Sequence, residues 1–319
     1  MSLAASLPSQ APRAPQAALL ADGRRLHVQD GPIDLVIEAV GEPEAVQRAY
    51  AAAVHSFTRV LDALCAELPA LRAASSPDLC PVSGAVARRM WRAVMPFAGD
   101  IFITPMAAVA GAVAEEVLAA MVGPGISRAY VNNGGDIALF LADGTRFTVG
   151  LVDRPDRPRI IGTTILDAAS PVRGVATSGW RGRSFSLGIA DAVTILAPTA
   201  AMADAAATVV ANAVDLPGHR GVIRVPARDL QPDSDLRDRA VTRHVPDLSA
   251  AERAEALEAG LACARDLARR GLICAAALHL QGETVGTGAD LALLSDMAAD
   301  ASAARIFSTP QPEQGRTHA

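Results

Sequence analysis

The sequence predicts an α+β fold in which an antiparallel β-sheet packs against long helices. Three observations carry that reading. The middle of the chain, from Tyr130 to Ser178, alternates short apolar strands with tight turns, the signature of antiparallel pairing. Two long stretches, Pro43 to Leu71 and Ser249 to Arg270, repeat their apolar residues at helical spacing. Val193 to Ala213 reads as a buried strand feeding directly into an alanine-rich helix, with Pro198 ending the strand and Thr199 as N-cap.

The 319 residues, half of them hydrophobic, suffice for a sizeable core. The expected division is a flexible start over 1–16, one α+β domain over 17–290 and a poorly ordered tail over 291–319. Aromatic residues are scarce and alanine is abundant, which predicts close helix packing. The chain contains no lysine. A lysine Schiff base or phosphate-loop lysine is therefore excluded, leaving arginine, helix N-termini, backbone amides or a metal to meet an anion. A net charge of −5 gives no reason to expect nucleic-acid binding. Cys65, Cys80, Cys263 and Cys274 are too widely spaced for a zinc site and read as reduced, mostly buried thiols. The first residues lack a signal peptide's basic start and apolar core, and no apolar run is long enough for a membrane span, so the expectation is a soluble, cytoplasmic protein. Small-residue segments are compatible with a homodimer.

In chain order, Arg24 to Val40 reads as a hairpin around Asp30-Gly31 at the edge of a sheet. The helix from Pro43 to Leu71 follows, with His55 on its face. Ser75 to Pro81 is a loop, and Gly84 to Met95 a helix carrying Arg88, Arg89 and Arg92, which could face solvent or hold a phosphate. From Ile101 the chain runs into Met106 to Leu118, whose small side chains allow another backbone or a ligand to approach closely. Glu115 and Glu116 interrupt that apolar run, and at least one could simply face solvent. Tyr130 to Phe140 gives strand, double-glycine turn and strand, with Asn133 and Asp136 flanking Gly134 and Gly135. That segment is either a plain hairpin turn or a stretch of amides exposed to a ligand. Strands follow at Phe147 to Val152, Ile160 to Leu166 and Val172 to Ser178, the last ending in Thr177 and Ser178 beside Gly179. After the alanine-rich helix, Gly221 to Val225 is a short strand and Asp233 to Arg243 a charged connector. Ser249 caps the second long helix, Gly271 stops it, and Leu272 to Leu280 is a buried strand containing His279. Beyond Gly286 periodicity is lost.

Asp204 and Thr208 stand four residues apart on one face of the alanine-rich helix. A carboxylate and a hydroxyl are hard oxygen donors suited to Mg2+, which takes few protein ligands and fills its shell with water and phosphate oxygens. The alternative is an Asp favoured by the helix N-terminus and a Thr bonded back to a carbonyl.

Three segments in this order, Gly-Gly-Asp-Ile at 134–137, Ala-Thr-Ser-Gly at 176–179 and Ala-Asp-Ala-Ala-Ala-Thr at 203–208, resemble the ApbE-like superfamily. Its founding members are FAD:protein FMN transferases, which use Mg2+ to cleave FAD and attach FMN to a Ser or Thr of an acceptor protein. The likeness covers about 102–213. It implies an ApbE-like α+β fold, Mg2+ held by Asp204, Thr208 and a carbonyl at Ala107 or Ala108, and FAD or another phosphorylated ligand lined by Asn133, Gly134, Gly135, Asp136, Thr177 and Ser178. Family enzymes carry Ala-Lys-Gly-Tyr-Ala-x-Asp where this chain has Ala110-Gly-Ala-Val-Ala-Glu-Glu116. They also carry His-x-x-Asp-Pro-x-x-Gly where this chain has Trp180 to Ala192, with Asp191 as the remaining carboxylate. The resemblance thus leaves three readings: an FMN transferase-like enzyme, a cofactor-holding module, and a biosynthetic enzyme of unrelated reaction on the same scaffold.

Overall fold

The computed structural model describes residues 15–77 and 80–288 and the backbone of 292–293. The chain opens with strands β1 (Gln16–Leu19), β2 (Leu26–Asp30) and β3 (Ile33–Gly41), then helices α1 (Pro43–Phe57), α2 (Val60–Ala66), α3 (Leu68–Leu71) and α4 (Ala85–Val94). A 3-10 turn at Pro105–Ala108 leads into α5 (Val109–Met121). Strands β4 (Ile126–Asn133), β5 (Asp136–Leu141), β6 (Arg146–Val152), β7 (Ile160–Asp167), β8 (Gly174–Ser178) and β9 (Ala192–Ala197) precede α6 (Ala200–Ala213). The remainder is β10 (Ile223–Pro226), α7 (Ala227–Leu230), β11 (Ala240–His244), α8 (Ala250–Arg269), β12 (Ala275–Leu280), β13 (Glu283–Thr287) and β14 (Ala292–Leu293).

Nine strands form one sheet in the order β1-β2-β3-β4-β5-β8-β9-β12-β13, and every neighbouring pair is antiparallel. Alternation along each strand divides its side chains between two cores. Val131, Ala138, Ala176, Val193, Ile195, Ala276 and Leu278 face the helices. Tyr130, Ile137, Leu139, Val175 and Leu196 face the other way and pack against Phe147, Val149 and Leu166 of the smaller sheet β14-β7-β6. Alanine at so many helix-facing positions lets α5 and α6 lie close to the sheet and to one another.

The α+β reading matches this architecture, but several details differ. The helix from Pro43 to Leu71 is three pieces. Ser56 Oγ donates to the Ala53 carbonyl (3.0 Å) and Thr58 Oγ1 to that of Val54 (2.9 Å), hydroxyl bonds that compete with the helical ladder where it breaks. Pro69 lies in the first turn of α3, so α2 cannot continue through it. The hairpin at Arg24 to Val40 is not the edge. β1 pairs outside it through a turn in which Asp22 Oδ1 accepts from the Arg24 and Arg25 amides and Gly23 has φ +66°. The charged connector contains β11, paired with β10, and β13 extends one residue past Gly286. None of the cysteines is fully buried, and Cys65 is exposed. Of the tail expected over 291–319 only Ala292 and Leu293 are described, as β14, and of the flexible start expected over 1–16 only residues 15 and 16; the rest of both lies outside the described residues. Among the described residues no helix is long and apolar enough to cross a membrane.

Candidate functional site

The helices α5 and α6 start side by side over the middle of the sheet. Gly111, in the first turn of α5, makes this approach possible: a Cβ there would stand 2.2 Å from the Ala200 carbonyl oxygen and 2.8 Å from the Ala201 nitrogen. Gly174 of β8 plays the same part beneath, where a Cβ would lie 2.2 Å from the Thr199 carbonyl oxygen. Thr199 caps its own helix by accepting from the Met202 amide (3.2 Å), as the sequence predicted.

Each helix also caps the other. The Gly111 amide donates to Oδ2 of Asp204 (3.0 Å), and the Ala110 backbone bonds the same carboxylate. In return the Ala201 amide donates to Oε1 of Glu115 (2.7 Å). A carboxylate on either helix thus meets the positive end of its neighbour. Arg89 of α4 joins Glu115 (3.3 Å) and Glu116 (2.9 Å), so neither glutamate is a plain solvent-facing residue.

Below these helix ends lies the turn between β4 and β5. Asn133 and Asp136 pair across it, and Gly134 and Gly135 take φ of +68° and +117°, the two-residue turn whose left-handed positions favour glycine. The Gly135 amide donates to Oδ1 of Asn132 (2.8 Å), and Asn133 Nδ2 donates to the Ala110 carbonyl (3.1 Å), tying the hairpin to the start of α5. Asp136 shares the helix-facing side of β5 with Ala138. Its carboxylate is bonded by the Thr177 backbone and lies within electrostatic reach of Asp204 and Arg183.

The structure therefore brings together Asp136, read from sequence as a nucleotide-lining residue, and Asp204, read as a metal ligand. Both are partly buried among apolar neighbours. Burial pushes the Asp204 carboxyl from 3.8 up to about 7 against the lowering effect of the Gly111 and Ala110 amides. Asp136 is pushed well above the usual carboxylate range, first by burial and then by the charge of Asp204. Without a cation, this pair holds a proton near neutral pH.

The other predicted residues divide. Thr208 follows Asp204 one turn along α6 and is partly buried, and Ala108, fully buried, immediately precedes α5. Ser178 shares the parity of Ala176 on the helix-facing side. Thr177 does not: its hydroxyl bonds that of Thr194 (2.9 Å), on the strand positions that alternate to the opposite face, so only its backbone joins the site. Asp191 is a structural hub, accepting from Trp180 Nε1 (3.1 Å), Arg181 Nε (2.7 Å) and the Gln281 amide (2.7 Å). His279 beside it bonds Thr284 through Nδ1 (2.8 Å) and accepts from the Gly282 amide at Nε2 (3.3 Å), and burial lowers its pKa. It stays a neutral core residue. Arg183 went unnoticed in the sequence, although two arginines directly after the Thr-Ser-Gly corner of a lysine-free chain were a signal.

Among the described residues no group of three or more His, Cys, Asp or Glu side chains could hold a metal. A paired carboxylate with a nearby hydroxyl fits a hard divalent cation whose remaining sites go to water and ligand oxygens, and fits Zn2+ poorly.

Residues 17–286 match the profile of a family described as AbpE bacteria. The chain belongs to this family. It is an ApbE-like protein, as the three segments suggested. A UPF0280 protein of Methanococcoides burtonii is 41% identical over 124 residues, 39% of this chain and 51% of the relative. Another, of Methanothrix thermoacetophila, is 34% identical over 187 residues, 54% of this chain and 70% of the relative. The chain thus spans only about half the length of the first of these relatives. Apo flavinyl transferase ApbE of Pseudomonas stutzeri aligns over 87% of this chain and 96% of that one at 12% identity, with a TM-score of 0.44.

Proposed function

We propose that this ApbE-like protein is a Mg2+-dependent enzyme acting on a flavin nucleotide or another phosphorylated ligand, with transfer of FMN from FAD to an acceptor protein as its best-defined reaction. The observation that carries the proposal is the placement of Asp136 within electrostatic reach of Asp204, whose carboxylate is bonded by the first turn of α5, beside a double-glycine turn. Two partly buried carboxylates within electrostatic reach of each other are unfavourable unless a proton or a cation neutralises them. Asp136, Asp204 and Thr208 would hold Mg2+, with the Ala108 carbonyl as a further oxygen, and the ion would neutralise charge on a pyrophosphate and its departing AMP.

The protein's own part is positional. Amides of Ala110 and Gly111 fix the Asp204 carboxylate, the Thr177 backbone fixes that of Asp136, and Asn133 anchors the glycine turn to α5. No side-chain nucleophile is required, because the acceptor hydroxyl would attack the FMN phosphorus, losing its proton to solvent, as the phosphoanhydride bond breaks and AMP leaves with its electron pair. Incubation with FAD, Mg2+ and acceptor protein should release AMP, and Asp204→Asn should abolish the release. Absence of AMP from the unaltered protein under these conditions would defeat the transferase reading. The amide bonds that make Asp204 a helix cap favour a second reading, a cofactor-holding module. Ligand retained stoichiometrically without turnover, and unchanged by Asp204→Asn, would support it.

A further inference from the structure

We propose that Arg183 is the residue that selects the anion at this site, receiving a phosphate or phosphoanhydride group whose other oxygens face the Asp136–Asp204 pair. The inference rests on the reading of that pair as a cation site and adds to it the residue that receives the ligand's phosphate.

Four observations converge on Arg183. Its Nη1 lies 2.9 Å from where a Cβ on Gly134 would stand, so the guanidinium lies directly against the bare backbone of the turn. Its charge acts on Asp136. The side chain is exposed, and among the described residues no hydrogen bond or ion pair engages it. Its neighbour in sequence is the opposite case: Arg181 is committed to buried Asp191 (2.7 Å) and stacks on Trp180 with its guanidinium carbon 4.2 Å from the ring centre. The segment 180–183 is therefore pinned at its first half while its second half delivers an uncommitted guanidinium to the glycine turn.

The absence of lysine gives this placement weight. An anion brought to the carboxylate pair by a divalent cation needs a counter-charge on its other side, and α5 has already spent the Ala110 and Gly111 amides on Asp204. The guanidinium offers a planar fork that matches two phosphate oxygens at once. Gly134 suits the turn through its φ of +68°, and a Cβ there would displace the Arg183 guanidinium from its place against the backbone.

The test is calorimetric titration of the full chain with Mg2+ alone and then with inorganic pyrophosphate at saturating Mg2+. Arg183→Gln should weaken pyrophosphate binding at least ten-fold, in line with about 1.5–3 kcal/mol for a hydrogen bond to a charged group. It should leave the affinity for Mg2+ alone unchanged or slightly higher, since it removes a positive charge beside two carboxylates. Arg183→Lys should recover only part of the loss, because an ammonium replaces the charge but not the fork. Both variants alter an exposed side chain, so an unchanged melting temperature verifies folding. Pyrophosphate affinity within two-fold of wild type in Arg183→Gln, with binding lost in Asp204→Asn, would overturn the role of Arg183 and leave the cation site standing. Failure of the wild-type protein to bind either Mg2+ or pyrophosphate would overturn both.

Discussion

Replacing Asp204 with asparagine separates its two roles. The amide side chain keeps an oxygen for the Gly111 amide, now 3.0 Å from Oδ2, but removes the charge beside Asp136. The sign follows from the raised pKa. An acid at 3.8 when unfolded and about 7 when folded costs the folded state nothing below pH 3.8. The cost grows as pH rises through that window and is complete above about 7. At 1.36 kcal/mol per tenfold change, its ceiling is about 4 kcal/mol. Residual solvent contact lowers that figure, and the asparagine NH2 group, facing amide donors, offsets part of the relief. A net gain of about 1 kcal/mol at pH 8 without metal is expected. The assay is urea unfolding of wild type and Asp204→Asn at pH 5 and pH 8, in EDTA and in Mg2+. The variant should match or exceed wild type at pH 8 in EDTA, lose that advantage at pH 5, and show no stabilisation by Mg2+. A variant weaker than wild type at both pH values, yet still stabilised by Mg2+, would refute the reasoning and leave Asp204 a helix cap.

Other consequences follow from the same joint. Because protons and a cation compete for one carboxylate pair, the rise in melting temperature produced by Mg2+ should be larger at pH 8 than at pH 5.5; a rise independent of pH would place the ion elsewhere. Gly111→Ala drives a methyl group to 2.2 Å from the Ala200 carbonyl oxygen, forcing α5 from α6. Against a helix-propensity gain of about 1 kcal/mol, a net loss of about 2–4 kcal/mol is expected by urea unfolding, and unchanged stability would contradict the packing. Asp191→Ala strands three donors, from Trp180, Arg181 and Gln281. It should cost about 3–5 kcal/mol while refolded protein keeps its Mg2+ affinity; loss of Mg2+ binding alone, without destabilisation, would move Asp191 into the site.

Much of this arrangement was legible because it is local. Alternation and turn residues place β4 through β9, and Pro198-Thr199 marks the passage from β9 to α6. Where neighbours compete, local pattern fails. The apolar spacing of Val60, Leu61 and Leu64 continues that of α1, but hydroxyl bonds at Ser56 and Thr58 and the ring of Pro69 divide the helix. Strand β1 is four exposed residues with no apolar alternation to reveal it. In the site, Gly134, Gly135, Asp136 and Asp204 stood out through motif and spacing, but their juxtaposition depends on Gly111 and Gly174 admitting α6 to the sheet. No residue pattern within one segment encodes the electrostatic coupling of carboxylates so distant in sequence. The turning of Thr177 toward Thr194 is likewise fixed by register, which pairs the two residues across β8 and β9.

The most direct measurement is Mn2+ binding followed by electron paramagnetic resonance, with Mn2+ standing in for Mg2+, on wild type, Asp136→Asn and Asp204→Asn at pH 8. One ion should bind per wild-type chain and be displaced by Mg2+, and either variant should lose binding. Wild type that binds no ion, or variants that bind it as wild type does, would contradict the cation site.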